Sequence, residues 1–162
     1  LVQSLGSAVM SEYLATVEWS RGDQHFLDNQ YSRAHRWHFD GGLSIAASSS
    51  PHVVPCPYSD ASNVDPEEAF IASLSSCHML FFLSLAAKAG FIIDQYCDNA
   101  VGYMEQDGDG KIWMTRVVLH PDIRFGGDNQ PTREQLAHLH HQSHQRCFIA
   151  NSVKTEVTIE AV

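Results

Sequence analysis

The chain of 162 residues is short of positive charge: 10 Lys and Arg stand against 19 Asp and Glu, for a formal net charge of −9. With no basic stripe to neutralise phosphates, nucleic acid is excluded as a partner. Long apolar runs are scarce too. The longest, from Met79 to Ala87, covers about half of a bilayer and is interrupted by Ser84, so no membrane partner is expected. The opening LVQSLGSAV has neither the basic region nor the apolar stretch of a secretory signal. Residues 1–9 are therefore read as a remnant ahead of the natural chain, with Met10 as its start. Cysteine is sparse, at positions 56, 77, 97 and 147, and no CxxC occurs. That spacing does not suit a disulfide scaffold; it implies a cytoplasmic protein in which any disulfide is functional. Repeats and low-complexity tracts are absent.

What is present is ordinary for a globular protein: 44% hydrophobic and 18% charged residues, enough for residues 10–162 to bury one core as a single domain. Ten histidines are many for this length and make the charge climb below about pH 6.5.

EYLATVEW (12–19) alternates as a strand does, and RAHRWHFDGGLSIAA reads as two strands turning at Asp40-Gly41-Gly42. SSSPHVVPCPYSDASNVDP is a long loop, a feature that compact domains reserve for functional or mobile segments. A helix follows. Asp65 suits its N-cap, Pro66 its first position, and Glu67 and Glu68 its first turn, with Gly90 as the stop. Phe70, Leu74, Cys77, Phe81, Leu85 and Lys88 form one stripe, and Ile71, Leu80 and Phe82 make the other side apolar. Burial around most of the circumference is expected.

DNAVGYMEQDGDGKIWMTRVVLHPDI reads as a hairpin about Asp107–Gly110. Thr132 and Gln135 are spaced as a capping box for a second helix reaching Arg146 or Cys147, and SVKTEVTIEAV closes the chain as a strand. This helix has a thin apolar face, Leu136 and Leu139, and belongs at the edge of the core. The order of elements gives an α+β fold, helices on antiparallel sheet.

Cys77, in SLSSCHMLFFLSLAA, is either a small hydrophobe packed in the core or a sheltered reactive thiol. Two motifs bear on the choice. DPEEAFIASLSSC resembles the pattern of the OsmC/Ohr family (osmotically inducible protein C and organic hydroperoxide resistance proteins), in which a reactive cysteine stands ten positions after a glutamate. CFIANSV (147–153) is similar to the family's second motif, with Cys147, Ala150 and Asn151 matching. The resemblance spans 13–162. It implies an OsmC-like two-layer fold, antiparallel sheets on two main helices, in an intertwined homodimer with sites at the dimer interface. It further implies a peroxidase without metal, haem or other cofactor, acting on organic hydroperoxides and reduced by an external dithiol. Cys77 is then the peroxidatic thiol and Cys147 the resolving thiol. Glu67 orients an arginine matched to Arg33 in QYSRAH, with Arg36 and Arg21 as alternatives. The sequence departs from the family pattern in lacking Pro-Tyr-Ser after Cys147 and in placing His78 beside Cys77.

Those roles are chemically coherent. Only a thiolate attacks a peroxide, and burial alone suppresses it, so Cys77 needs a permanent cation and that cation a carboxylate. Phe70, Leu74, Phe81 and Phe82 would line an apolar approach suited to alkyl or aryl hydroperoxides. Cys56 and Cys97 match nothing and are read as incidental.

HLHHQSHQRC supports a second reading. His138, His141 and His144 recur every three residues, and His140, His144 and Cys147 stand at steps of four and three, which could hold zinc on one helix face. The alternatives are a solvated histidine face and a non-catalytic small-molecule binder of the same fold. Zinc at Cys147 would compete with peroxide chemistry.

Overall fold

The computed structural model describes residues 11–161, so the reading of residues 1–9 and Met10 lies outside the described residues. The chain divides into two compact units, Leu1–Pro66 and Glu67–Val162.

In the first unit, β1 (Ala15–Glu18), β2 (His35–Phe39) and β3 (Ser44–Ala47) form an antiparallel sheet in chain order. The turn falls at Asp40-Gly41-Gly42 as anticipated. Gly42 takes φ +86°, which an L side chain rarely adopts, and Phe39 closes the turn by donating its N–H to Leu43 O at 2.9 Å. The β1–β2 loop is gathered by the rings of Trp19, Phe26 and Tyr31, with Phe26 and Tyr31 stacked at 4.8 Å. The long loop after β3 has no helix or regular strand. Ser48 pins it, its hydroxyl accepting from Asp60 N–H at 3.0 Å and its own N–H donating to Val64 O at 3.0 Å.

In the second unit, α1 (Pro66–Lys88) leads into β4 (Ile92–Asp98), β5 (Val101–Gln106), β6 (Ile112–Leu119), β7 (Pro121–Gly126), α2 (Arg133–Arg146) and β8 (Glu156–Ile159). α1 ends in a Schellman motif. Phe91 N–H donates to Ala86 O at 3.0 Å and Gly90 N–H to Ala87 O at 3.1 Å, with Gly90 at φ +82°. The capping box at Thr132 and Gln135 forms in both directions.

Two sheets receive α1. Phe82, Leu85 and Ala86 pack with Leu139 of α2 against Ile93, Tyr96, Ile123 and Phe125 of the β4–β7 pair. Leu74 packs on Val117 and Leu119 in the sheet ordered β5-β6-β8. Burying a side chain the size of Phe82 or Leu74 stabilises by about 1.5–3 kcal/mol each. Within this unit Asp98, at the end of β4, joins α1 to the β6–β7 connection, accepting from the Ser75 hydroxyl and from His120 N–H.

Three expectations need correction. The strands β4 and β7 were not anticipated, because FIIDQYCD mixes its polar residues irregularly and β7 begins at a proline. The sheet is not wholly antiparallel: β8 runs parallel to β6, the chain having returned through α2 before pairing. And α1 is not buried all round. Leu74, His78, Phe82, Leu85 and Ala86 are buried, whereas Leu80 is 63% exposed and Ala72, Ser76 and Ser84 face outward. The sheets cover one side of a helix that is apolar on every side. Its length and mean hydropathy of 1.8 match a membrane span, but its buried stripe is the core of this unit.

Candidate active site

Cys77 lies midway along α1 and is half-buried; Cys147 is the C-cap of α2 and is buried. The α-helical turn stops at Cys147 because its ψ of 111° is extended, although its N–H still donates to His144 O at 3.2 Å. That change of direction swings the side chain out of the helical row and onto Cys77, with which its thiol is hydrogen-bonded. The turn behind it is built by the second motif. Asn151 donates from its side chain to Gln145 O at 2.9 Å, capping a free carbonyl of α2, and Ala150 N–H donates to Cys147 Sγ at 3.4 Å.

The two sulfurs are not equivalent. Burial, and next the hydrogen bond to Cys77, push the Cys147 thiol up to about 11. Cys147 therefore keeps its proton near neutrality and serves as the donor, while the Cys77 sulfur is the acceptor. Phe81, one turn beyond Cys77, meets Phe148, the residue after Cys147, edge to face at 5.1 Å. Phe148 is 72% exposed, so an apolar ring stands at the surface next to Cys147 in the chain. Phe82 and Leu74, which the sequence suggested as walls of the same approach, are instead fully engaged in the two cores.

Glu67 is half-buried in the first turn of α1, about 15 Å along the axis from Cys77 at 1.5 Å per residue. The three candidate arginines are each held within the first unit. Arg33 donates to Asn29 O at 3.1 Å, to Asn29 Oδ1 at 2.7 Å and to Tyr31 O, and lies over the Tyr31 ring. Arg36 donates to Ser44 Oγ at 2.9 Å and Arg21 to Gln24 O at 2.5 Å. Cys56 and Cys97 are exposed free thiols.

The zinc set is not assembled. Among the described residues no three His, Cys, Asp or Glu side chains are arranged to hold an ion. The reason is local: Cys147 leaves the helical row, and His140 turns its Nδ1 to His78 Nε2 at 3.1 Å. His138 and His141 are exposed.

This imidazole pair escaped the sequence reading. His78 and His140 stack at 5.4 Å with 8° between their planes, and the Phe82 ring lies 4.5 Å from His140. Both are held down to about 4, chiefly by burial; for His78 the neighbouring His140 and His144 add to the effect. Two neutral rings share one hydrogen bond, so one donates and the other accepts. A signal existed: His78 stands one helical turn from both Leu74 and Phe82, and a histidine so deep in an apolar stripe needs a polar partner.

Comparison with solved structures first defines the class. The chain is similar to an organic hydroperoxide resistance protein from Elizabethkingia anophelis (18% identity, TM-score 0.68, 95% of this chain and 99% of that one). It is likewise similar to the organic hydroperoxide resistance protein OhrB of Bacillus subtilis (18%, 0.65, 94% and 98%). At such identity these establish the α+β fold. A structure of an OsmC-like protein of unknown function from Vibrio cholerae is much nearer, at 57% identity and TM-score 0.92 over 94% of this chain and 100% of that one. Residues 59–162 match the family described as OsmC-like protein, and the chain belongs to it. No curated protein sequence matches.

Proposed function

We propose that this chain is a thiol peroxidase that reduces organic hydroperoxides to alcohols, a reading carried by the hydrogen-bonded pair Cys77 and Cys147. Cys77, as thiolate, attacks one peroxide oxygen; the O–O bond breaks, the alkoxide takes a proton and leaves as alcohol, and Cys77 becomes sulfenic acid. The Cys147 thiol displaces hydroxide, water departs and a Cys77–Cys147 disulfide forms. Two electrons and two protons from an external dithiol restore both thiols. Cys147 needs no long movement, since it already touches Cys77. The names of the Elizabethkingia and Bacillus structures support hydroperoxides as the substrate class, and the Phe81–Phe148 pair supports an apolar one. The thiolate needs a permanent cation, a role this reading gives to Arg33 with Glu67, or to Arg36 or Arg21. No metal or other cofactor enters these steps, and a cytoplasmic setting supplies the dithiol.

The working form in this reading is a homodimer. The uncovered stripe of α1, Ala72, Ser76, Leu80 and Ser84, is small enough for a second helix to approach and apolar enough to favour it. Leu80→Glu should convert a dimer to a monomer in sedimentation velocity; a monomeric parent protein would overturn this part.

The test of activity is oxidation of fully reduced protein by a slight excess of cumene hydroperoxide, followed by thiol blocking and peptide mapping. A Cys77–Cys147 disulfide formed within seconds is expected, together with loss of turnover in Cys77→Ser. An unmodified Cys77 would refute the peroxidase reading.

A further inference from the structure

The imidazole contact between α1 and α2 is a poor adhesive. His78 and His140 are 1% and 6% exposed, and each is satisfied through a single ring nitrogen, His78 Nε2 with His140 Nδ1 at 3.1 Å. His78 Nδ1 and His140 Nε2 are buried as well and have no hydrogen-bond partner among the described residues. Two apolar side chains of similar volume would join the helices without leaving two ring nitrogens bare, so adhesion alone does not account for the pair.

Its place in the fold supplies a reason. Consecutive residues of a helix project about 100° apart, so His78 and Cys77 face two different sides of α1. The side with His78 and Phe82 meets Leu139 and His140, whereas the side with Cys77 and Phe81 meets Cys147 and Phe148. His140 and Cys147 stand two turns apart, about 10 Å along α2, while His78 and Cys77 differ by only about 1.5 Å along α1. α2 therefore lies across α1, gripped through His140 on one side and carrying its thiol to the other. The apolar contact of Leu139 with Phe82 and Leu85 is non-directional and tolerates a slide of α2. The imidazole bond does not, because a slide parts two buried nitrogens where no water replaces the bond.

We propose that His78 and His140 are positioning residues for the thiols: their hydrogen bond sets where α2 crosses α1 and so brings Cys147 onto Cys77. The inference deepens the thiol reading and rests on closure of a Cys77–Cys147 disulfide, though not on peroxide as the oxidant.

Equilibration of the full chain with reduced and oxidised glutathione near neutral pH tests it. One glutathione disulfide takes two electrons and two protons from Cys77 and Cys147, giving the protein disulfide and two glutathione molecules. Thiol blocking and peptide mapping give the fraction closed, and hence the effective concentration of one thiol at the other. The His78→Leu/His140→Leu variant should keep or raise its urea midpoint, since both partners become apolar together. Its effective concentration should nonetheless fall at least about tenfold, the order of loss that misplaced reacting groups suffer. A role in stability alone gives the reverse, a lower midpoint with closure unchanged. His140→Gln, which keeps a donor and an acceptor, should stay within roughly threefold of the parent. Equal closure in the parent and the double variant, a lowered midpoint in the double variant, or a loss in His140→Gln as large as in the double variant would each overturn the proposal. A parent that does not close at all would overturn it together with the thiol reading, which keeps the two failures distinct.

Discussion

Acidification should destabilise this protein through His78 and His140. The two rings are 1% and 6% exposed, and burial holds both down to about 4. In the unfolded chain an imidazole takes its proton near pH 6.5. Between these values the unfolded state binds up to two more protons than the folded one. The stability present above pH 6.5 is therefore lost as the pH falls toward 4. Each proton contributes about 1.4 kcal/mol per pH unit, so lowering the pH from about 7.5 to about 5 removes about 4 kcal/mol through this pair. That is a large part of the roughly 5–15 kcal/mol that holds a domain together. Urea unfolding followed by the fluorescence of Trp19, Trp37 and Trp113 measures it, and the His78→Gln/His140→Gln double variant isolates the pair. Carboxylates titrate alike in both proteins, so the variant should lose about 4 kcal/mol less over the same range, whatever its starting stability. Equal losses in the two proteins would refute the argument, because the imidazoles would then be taking protons in place.

Further outcomes follow from the thiols and the packing. In the folded protein near neutral pH, Cys147 should hold roughly a hundredfold less thiolate than in urea, because its thiol is pushed from 9 to about 11. Alkylation followed by peptide mass should show at least that slowing, and equal rates would contradict it. Gly102 lies beneath α1, where an added Cβ would sit 2.6 Å from Ile71 Cδ1. Gly102→Ala should cost about 1–3 kcal/mol in chemical denaturation by overpacking. Thr132→Ala removes the capping box and should cost about 1 kcal/mol, with the loss confined to α2 in hydrogen exchange.

Much of this molecule was legible in its local chemistry. Asp65-Pro66-Glu67 at the start of α1, Gly90 at its end, the capping pair Thr132 and Gln135, and the turn glycines at 41 and 42 mark boundaries through backbone preferences that act within a few residues. The spacing of Glu67 to Cys77 and the CFIANSV run likewise marked the family. Other features depend on what lies opposite, which no local preference encodes. Strands β4 and β7 exist as strands because they pair with each other across α1's core. α1 is apolar on all sides, and only the position of the two sheets decides which stripe they cover and which they leave bare. The histidine row on α2 had the spacing of a metal face; the extended backbone at Cys147 and the approach of His78 turned one member to the thiol and another to an imidazole. Sequence by itself determined both helices and most of the other strands, the family and the two sulfurs. Tertiary structure alone decided that those sulfurs touch, that Cys147 is the proton holder, and that His78 is satisfied by a residue 62 positions away. Hydrogen bonds and burial are properties of neighbours in space, and neighbours are chosen by the packing of the whole unit.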